Sequence, residues 1–172
     1  MGVIRKEGYE RISHPFLPVY DRNAKILILG SLPSRKSREE GFYYGNPRNR
    51  FWQVISRILD EEMPLTKAGK RDLLLKNKIA LWDVIACCDI IGSDDTSIKN
   101  VIAADIGKLL KETEICKIFT NGGKAKALYD QWIYPSLGME AERLPSTSPA
   151  NAAYSLEKLY ASWKTIKESL GK

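Results

Sequence analysis

The sequence predicts an α/β domain spanning residues 1–172, a three-layer α/β/α arrangement around a four-stranded, mostly parallel sheet. Three observations predict it. Ile26-Leu27-Ile28-Leu29 is a run of four aliphatics ended by Gly30, the pattern of a strand buried on both faces. Similar apolar runs alternate with segments of helical periodicity, which implies right-handed crossovers and a sheet covered on both sides. A chain of 172 residues with 44% apolar composition suits one sizeable core.

Taken in order, residues 1–23 read as irregular and polar, with His14-Pro15 and Leu17-Pro18 resisting a long helix. Lys25 to Gly30 is the first strand. Phe51, Val54, Ile55, Ile58 and Leu59 recur at helical spacing, so 49–61 is an amphipathic helix that Pro64 ends. Leu65 to Asn77 reads as a second helix despite Gly69. Ile79 to Val84 is the second strand, followed by a polar loop at Gly92 to Thr96. Asp105 to Thr113 is a short helix with Ile106, Leu109 and Leu110 inward. Ile115 to Thr120 is the third strand, and Asn121-Gly122-Gly123 turns into a helix from Lys124 to Ile133. Met139 to Leu144 is a fourth, shorter strand. The last helix, Tyr154 to Leu170, buries Leu156, Leu159, Tyr160, Trp163, Ile166 and Leu170.

Bulk properties exclude several classes. Three cysteines, Cys87, Cys88 and Cys116, make no disulfide framework, and with His14 the only histidine a structural zinc site is not expected. Buried thiols in a reducing compartment are the simple reading. No segment approaches the roughly 18 apolar residues of a membrane span, and the N-terminus lacks an apolar leader pattern. A cytoplasmic monomer without metal or cofactor is expected. The net charge of +6, from 27 Lys and Arg against 21 Asp and Glu, permits a nucleic-acid partner without establishing one.

Loops leaving the C-terminal ends of parallel strands share one edge of the sheet, where open α/β proteins place ligands. That gathers Ser31–Asn49, Asp83–Thr96, Asn121–Lys124 and Pro145–Asn151 around one cleft. The first is roughly 18 residues long, more than a compact domain normally uses. It carries Tyr43-Tyr44-Gly45-Asn46-Pro47-Arg48-Asn49-Arg50-Phe51-Trp52, with rings to stack on a planar group, amides to bond its edge and arginines to hold phosphates. Asn121-Gly122-Gly123-Lys124-Ala125 is neither a dinucleotide fingerprint nor a Walker loop. A Ser-His-Asp hydrolase is hard to assemble around His14, which precedes the first strand.

Gly30-Ser31-Leu32-Pro33-Ser34, the ten residues Tyr43 to Trp52 and Leu144-Pro145-Ser146-Thr147-Ser148-Pro149-Ala150-Asn151 together resemble the hypoxanthine-DNA glycosylase branch of the uracil-DNA glycosylase superfamily. The resemblance runs from Ile26 to Leu159, where Ser155-Leu156-Glu157-Lys158-Leu159 is similar to the helix start that follows the second motif. It implies that fold, and an enzyme that flips deaminated bases from double-stranded DNA and hydrolyses the N-glycosidic bond. Hypoxanthine is the favoured base, and uracil or a mismatched thymine the alternative. A damage-binding module that lost turnover and a nucleosidase acting on free nucleosides are the other readings.

The resemblance assigns Asn49 and Asn121 to catalysis or base recognition, and Ser31, Leu32, Tyr44 and Asn46 to the base pocket, with Tyr44 stacking on the extruded ring. It assigns Ser146, Thr147, Ser148, Pro149 and Asn151, with Arg48 and Lys124, to the DNA. Arg35, Lys36 and Arg38 are further candidates for phosphate contacts. Structural alternatives stand beside these roles. Asn49 suits a helix cap, Asn121 a turn residue at positive φ, Tyr43 and Tyr44 half-buried packing, and Ser148 a cap with Pro149 in the first helical turn. Phe51 and Trp52 read as core. Uracil-specific relatives carry a carboxylate or amide within the first motif, whereas here Ser31 and Leu32 stand there; Asp83 is the nearest loop carboxylate able to orient water. No lysine is placed as a Schiff-base nucleophile, so a monofunctional hydrolase is expected.

Overall fold

A computed structural model describes the strand Val3–Ile4 and residues 8–172. Its centre is a parallel sheet of β3 (Ile26–Gly30), β4 (Ile79–Asp83), β7 (Lys117–Asn121) and β8 (Ala141–Leu144), in the order β4-β3-β7-β8. These are the four strands expected from sequence. Every residue of β3 is buried because its faces serve different cores. Ile26 and Ile28 face one apolar cluster, while Leu27 and Leu29 face the other.

The first core is closed by α2 (Phe51–Ile58), α3 (Lys67–Lys76), α7 (Leu156–Trp163) and α8 (Thr165–Ser169). Phe51, Trp52, Val54, Ile55 and Ile58 of α2 are buried there, so Phe51 and Trp52 are core as expected. Gly69 is tolerated because its N–H, in the first turn of α3, is capped by Thr66 Oγ1 at 3.0 Å. The single C-terminal helix expected over 154–170 is two helices that meet at Lys164, which keeps right-handed helical angles.

The second core is closed by α4 (Ile106–Lys111), α5 (Gly123–Trp132) and a second sheet. That sheet is antiparallel and was not expected. It joins β1 (Val3–Ile4), β2 (Glu10–Ser13), β5 (Ile85–Ile91) and β6 (Asp94–Ala103) in the order β1-β2-β5-β6. The segment Asp83–Thr96, read as a loop, is therefore the end of β4, all of β5 and the tip of a hairpin, and residues 10–13 are strand rather than irregular chain. The period-2 signal is broken by register shifts between β5 and β6. It is further masked by Asp89, a buried carboxylate bonded to Arg11 and Asn100. The thiol expectation holds for Cys88 alone, since Cys116 is exposed and Cys87 intermediate; burial pushes the Cys88 thiol up to about 11. Among the described residues no helix is long and apolar enough to cross a membrane.

Strand register positions the site. Gly30 is level with Asp83 on β4, and Leu29 is level with Thr120 on β7, so Gly30, Asp83 and Asn121 emerge together at the C-terminal edge. Trp163 secures that edge from below. It is fully buried, meets Phe51 edge-on at 5.9 Å, and donates its indole N–H to Pro145 O at 2.9 Å. Replacing Trp163 with Ala should lower unfolding free energy by about 3–5 kcal/mol in urea denaturation. Trp163→Phe, which keeps a ring but loses the hydrogen bond, should cost clearly less.

Candidate active site

The C-terminal edge carries a cleft of about 400 Å³. Its walls come from the four expected segments: Gly30–Ser34 and Tyr43–Asn49 after β3, Asp83 with the β5–β6 hairpin, Asn121–Lys124 after β7, and Ser146–Ser148 after β8. Among the residues expected at the site, Ser31, Leu32, Tyr44, Asn46, Asn49, Asn121, Lys124, Ser146, Thr147 and Ser148 line this cleft. Arg35 and Arg38 also line it, whereas Lys36 does not. Arg48 and Pro149 are exposed outside it. Asn151 borders a neighbouring depression, where its amide donates to Ser146 O at 3.0 Å.

The segment before α2 is shaped by asparagine side chains bonding nearby backbone. Asn46 Oδ1 accepts from Arg48 N at 2.9 Å, an Asx turn, and Asn49 N donates to Asn46 O at 2.9 Å. Asn49 Oδ1 then accepts from Phe51 N at 2.9 Å, at the start of the helix. The cap position itself is Arg50, so Asn49 stands one residue before the expected cap and reaches the first helical N–H from there. The same oxygen also accepts from Thr147 Oγ1 at 2.8 Å. Two donors fix the oxygen end, so the amide nitrogen is the end left over, and it has no protein partner among the described residues.

Thr147 links Asn49 to Asn121. Asn121 Nδ2 donates to Thr147 Oγ1 at 2.9 Å, and Asn121 Oδ1 accepts from Thr147 N at 3.0 Å. The result is a directed chain, Asn121 N–H to Thr147 O–H to Asn49 Oδ1. Thr147 was expected to bond phosphate; it is instead completely buried, with its hydroxyl engaged on both sides. The positive φ considered for Asn121 belongs to Gly122, at +94°, where a Cβ would fall 2.9 Å from Ser146 Cβ.

The two tyrosines differ. Tyr43 is buried packing, donating its hydroxyl to Leu17 O at 3.0 Å. Tyr44 lines the cleft with one ring face stacked on Phe51, at 4.2 Å between centroids and 21° between planes. It holds φ +53°, a left-handed conformation that costs a bulky residue on the order of 1–3 kcal/mol. Its hydroxyl is buried, with the Asn121 amide near it but no hydrogen bond of full geometry among the described residues. Burial, and then the nearby Asp83 carboxylate, push the phenol far above its usual range.

Sequence reasoning missed three contributions. Ile90, Ser93 and Asp95 come from the unexpected hairpin. His14, set aside as remote, bonds Asp83 Oδ2 at 2.7 Å. Its segment is carried to the cleft because Val19 bridges Leu81 at the free edge of β4. Arg50, counted in the sequence among arginines able to hold phosphates, directs its guanidinium at the carbonyl oxygens of Thr147, Ser148, Asn151 and Tyr154, with Ser148 O at 2.9 Å. Among the described residues no three His, Cys, Asp or Glu side chains cluster as metal ligands would.

A parallel sheet with amide-bearing loops around a polar cleft defines a ligand-binding α/β domain, with its site at the strands' C-terminal edge. The family is more specific: the chain belongs to the uracil DNA glycosylase superfamily, whose family model matches residues 17–170. A hypoxanthine DNA glycosylase of Methanosarcina barkeri is 35% identical over 149 residues, covering 86% of this chain and 93% of the relative. One from Methanosarcina acetivorans is 33% identical over 156 residues, covering 90% and 98%. A solution NMR structure of a Methanosarcina acetivorans protein, provisionally assigned as a uracil DNA glycosylase, superposes with a TM-score of 0.78. It is 34% identical, covering 91% of this chain and 97% of that one.

Arg50 ties the two motif loops together. Arg50→Ala should lower stability by about 2–3 kcal/mol, the scale of charge-assisted bonds to buried carbonyls. In hydrogen-exchange measurements the 146–154 segment should lose protection while the β3 amides keep theirs.

Proposed function

We propose that the chain is a monofunctional DNA glycosylase that flips hypoxanthine out of double-stranded DNA and hydrolyses its N-glycosidic bond. The observation that carries this reading is the hydrogen-bond chain from Asn121 through Thr147 to Asn49, which leaves the Asn49 amide nitrogen as a preorganised donor at the cleft. As the glycosidic bond breaks, its electron pair collects on the departing base, and a fixed neutral donor stabilises that charge without reorganising. Each donor along the chain polarises the next, so Asn121 and Thr147 act through Asn49. The relatives named for hypoxanthine excision, similar over nearly their full lengths, support the choice of base.

Tyr44 supplies a stacking platform on the ring face that Phe51 does not cover. Stacking contributes about 1–3 kcal/mol per base and offsets the few kcal/mol of unstacking that flipping requires. Ser31, Leu32 and Asn46 line the same space and suit the base edge. Lys124, Ser146 and Ser148 at the rim, with Arg48, Pro149 and Asn151 outside it, suit the flanking phosphates and groove. The net charge of +6 favours the polyanion.

Alkali-developed strand cleavage of labelled duplexes containing one deoxyinosine, one deoxyuridine or a G·T mismatch tests the reading. Deoxyinosine should be cut fastest; preferred cutting of uracil or the mismatch would move the substrate, and binding without any cutting would remove the enzymatic claim. Asn49→Ala should reduce single-turnover excision about 100- to 1000-fold, the scale of removing one preorganised donor, while duplex affinity persists. That affinity should fall steeply between 50 and 200 mM salt, as phosphate binding requires.

A further inference from the structure

Asp83, the loop carboxylate that the sequence offers for orienting water, stands in the cleft wall. We infer that Asp83 holds and deprotonates the attacking water, and that His14 positions it; the inference rests on the glycosylase reading of this cleft. Asp83 ends β4 level with Gly30, so its side chain emerges where the cleft opens. It is 3% exposed, and burying a carboxylate is costly without a partner.

Its pairing is one-sided. Oδ2 meets His14 Nε2 at 2.7 Å. Oδ1 has no hydrogen bond from the described residues, yet only the Tyr44 and Thr120 hydroxyls are sealed-off buried atoms lacking a partner among those residues. Oδ1 is therefore open to the cleft. Gly30 preserves that opening: a Cβ there would fall 2.4 Å from Oδ1 and 3.1 Å from Tyr44 Oη.

His14 is itself clamped. Its Nδ1 lies 2.7 Å from Phe16 O, and its ring meets Phe16 edge-on at 4.9 Å. A backbone carbonyl can only accept, so Nδ1 carries a proton, and a second proton lies between Nε2 and Oδ2. The pair then has no net charge, and with the second proton on Nε2 Asp83 is a carboxylate whose Oδ1 can take a proton from water.

The bond between C1′ and the base breaks, and its electron pair leaves with the base. The water oxygen bonds to C1′ and one of its protons passes to Asp83 Oδ1; the departing base takes a proton from solvent, and Asp83 returns its own to solvent. One water is consumed, and a free base and an abasic sugar are released. The carboxylate also faces the positive charge that develops on the sugar. A carboxylate from β4 in this way serves a first motif, Gly30 to Pro33, that contains neither carboxylate nor amide.

Single-turnover excision from a deoxyinosine duplex tests this on the wild type, D83N, D83A, H14Q and H14A, with duplex affinity and thermal unfolding measured on each. D83N should lose about 100- to 10,000-fold in rate, the scale of general-base catalysis, with affinity and unfolding near wild type. Formate should restore part of the D83A rate, which a purely structural carboxylate would not allow. H14Q, still able to donate to Oδ2, should retain more rate than H14A. A D83N rate within about threefold of an active wild type, far below the general-base scale, would overturn the inference alone. So would a D83A enzyme that is unfolded or unresponsive to formate. A wild type inert on deoxyinosine, deoxyuridine and mismatch duplexes would instead overturn the glycosylase reading beneath it.

Discussion

The site depends on a connection between Asn49-Arg50 and Thr147, segments 98 residues apart whose hydroxyl–amide bond closes at 2.8 Å. Arg50 makes that closeness permanent. Its guanidinium is a planar fork of donors that stays charged, and it is directed at four carbonyl oxygens of the second loop. Those carbonyls lie ahead of α7, where backbone N–H groups already reach Thr147 O, Ser148 O and Asn151 O, so the guanidinium adds to a loop that is partly bonded. A lysine offers one charged nitrogen and could not reach all four. With the loop held, the buried Thr147 hydroxyl has only one arrangement that serves both asparagines. The polarity of the Asn49 amide follows from that arrangement rather than from any contact with the nitrogen itself.

The same packing carries strain one turn away. Tyr44 is held at φ +53°, and its buried hydroxyl makes no hydrogen bond of full geometry among the described residues, two unfavourable features in one residue. They persist because neighbouring contacts over-determine its position. Phe51 stacks beneath the ring, and Trp52 donates its indole N–H to Tyr43 O at 3.0 Å. The aromatic run Phe42 to Tyr44 is thus gripped from α2, and α2 is in turn seated on β3 through Val54 and Ile55. A left-handed tyrosine pointing its ring into a cleft is a conformation the fold sustains at a cost, which is where binding surfaces are commonly found.

How far the sequence could be read follows from the kind of signal each part leaves. β3 was legible because burial on both faces demands an aliphatic at every position from Ile26 to Leu29. The cleft was legible because parallel topology forces loop ends to one edge, whatever their composition. The antiparallel sheet was not. β6 reads Asp94-Asp95-Thr96-Ser97-Ile98-Lys99-Asn100 and leaves most of that stretch exposed, so it has no apolar alternation to detect. Thr147 was placed correctly at the cleft but given the wrong environment, since nothing local distinguishes a buried threonine from one facing phosphate. His14 was set aside because it precedes the first expected strand, whereas β2 pairs with β5 and Val19 bridges Leu81, which brings its segment beside Asp83.

Electrostatics explain why a carboxylate suits this floor only when paired. DNA brings phosphates to the rim, and the chain's excess of basic residues favours them there. A bare carboxylate in a cleft of low dielectric would repel those phosphates and would be costly to desolvate as the flipped nucleotide displaces water. Sharing a proton with His14 removes the net charge seen at a distance, yet keeps an acceptor oxygen beside the reacting sugar. Asn49 obeys the same constraint from the other side, because it donates without being a cation. On the proposed reading both chemical demands, a proton acceptor for water and a donor for the leaving base, are met by groups with no net charge, and attracting DNA falls to the basic side chains at the cleft's margin and beyond it, Arg35, Arg38, Lys124 and Arg48 among them.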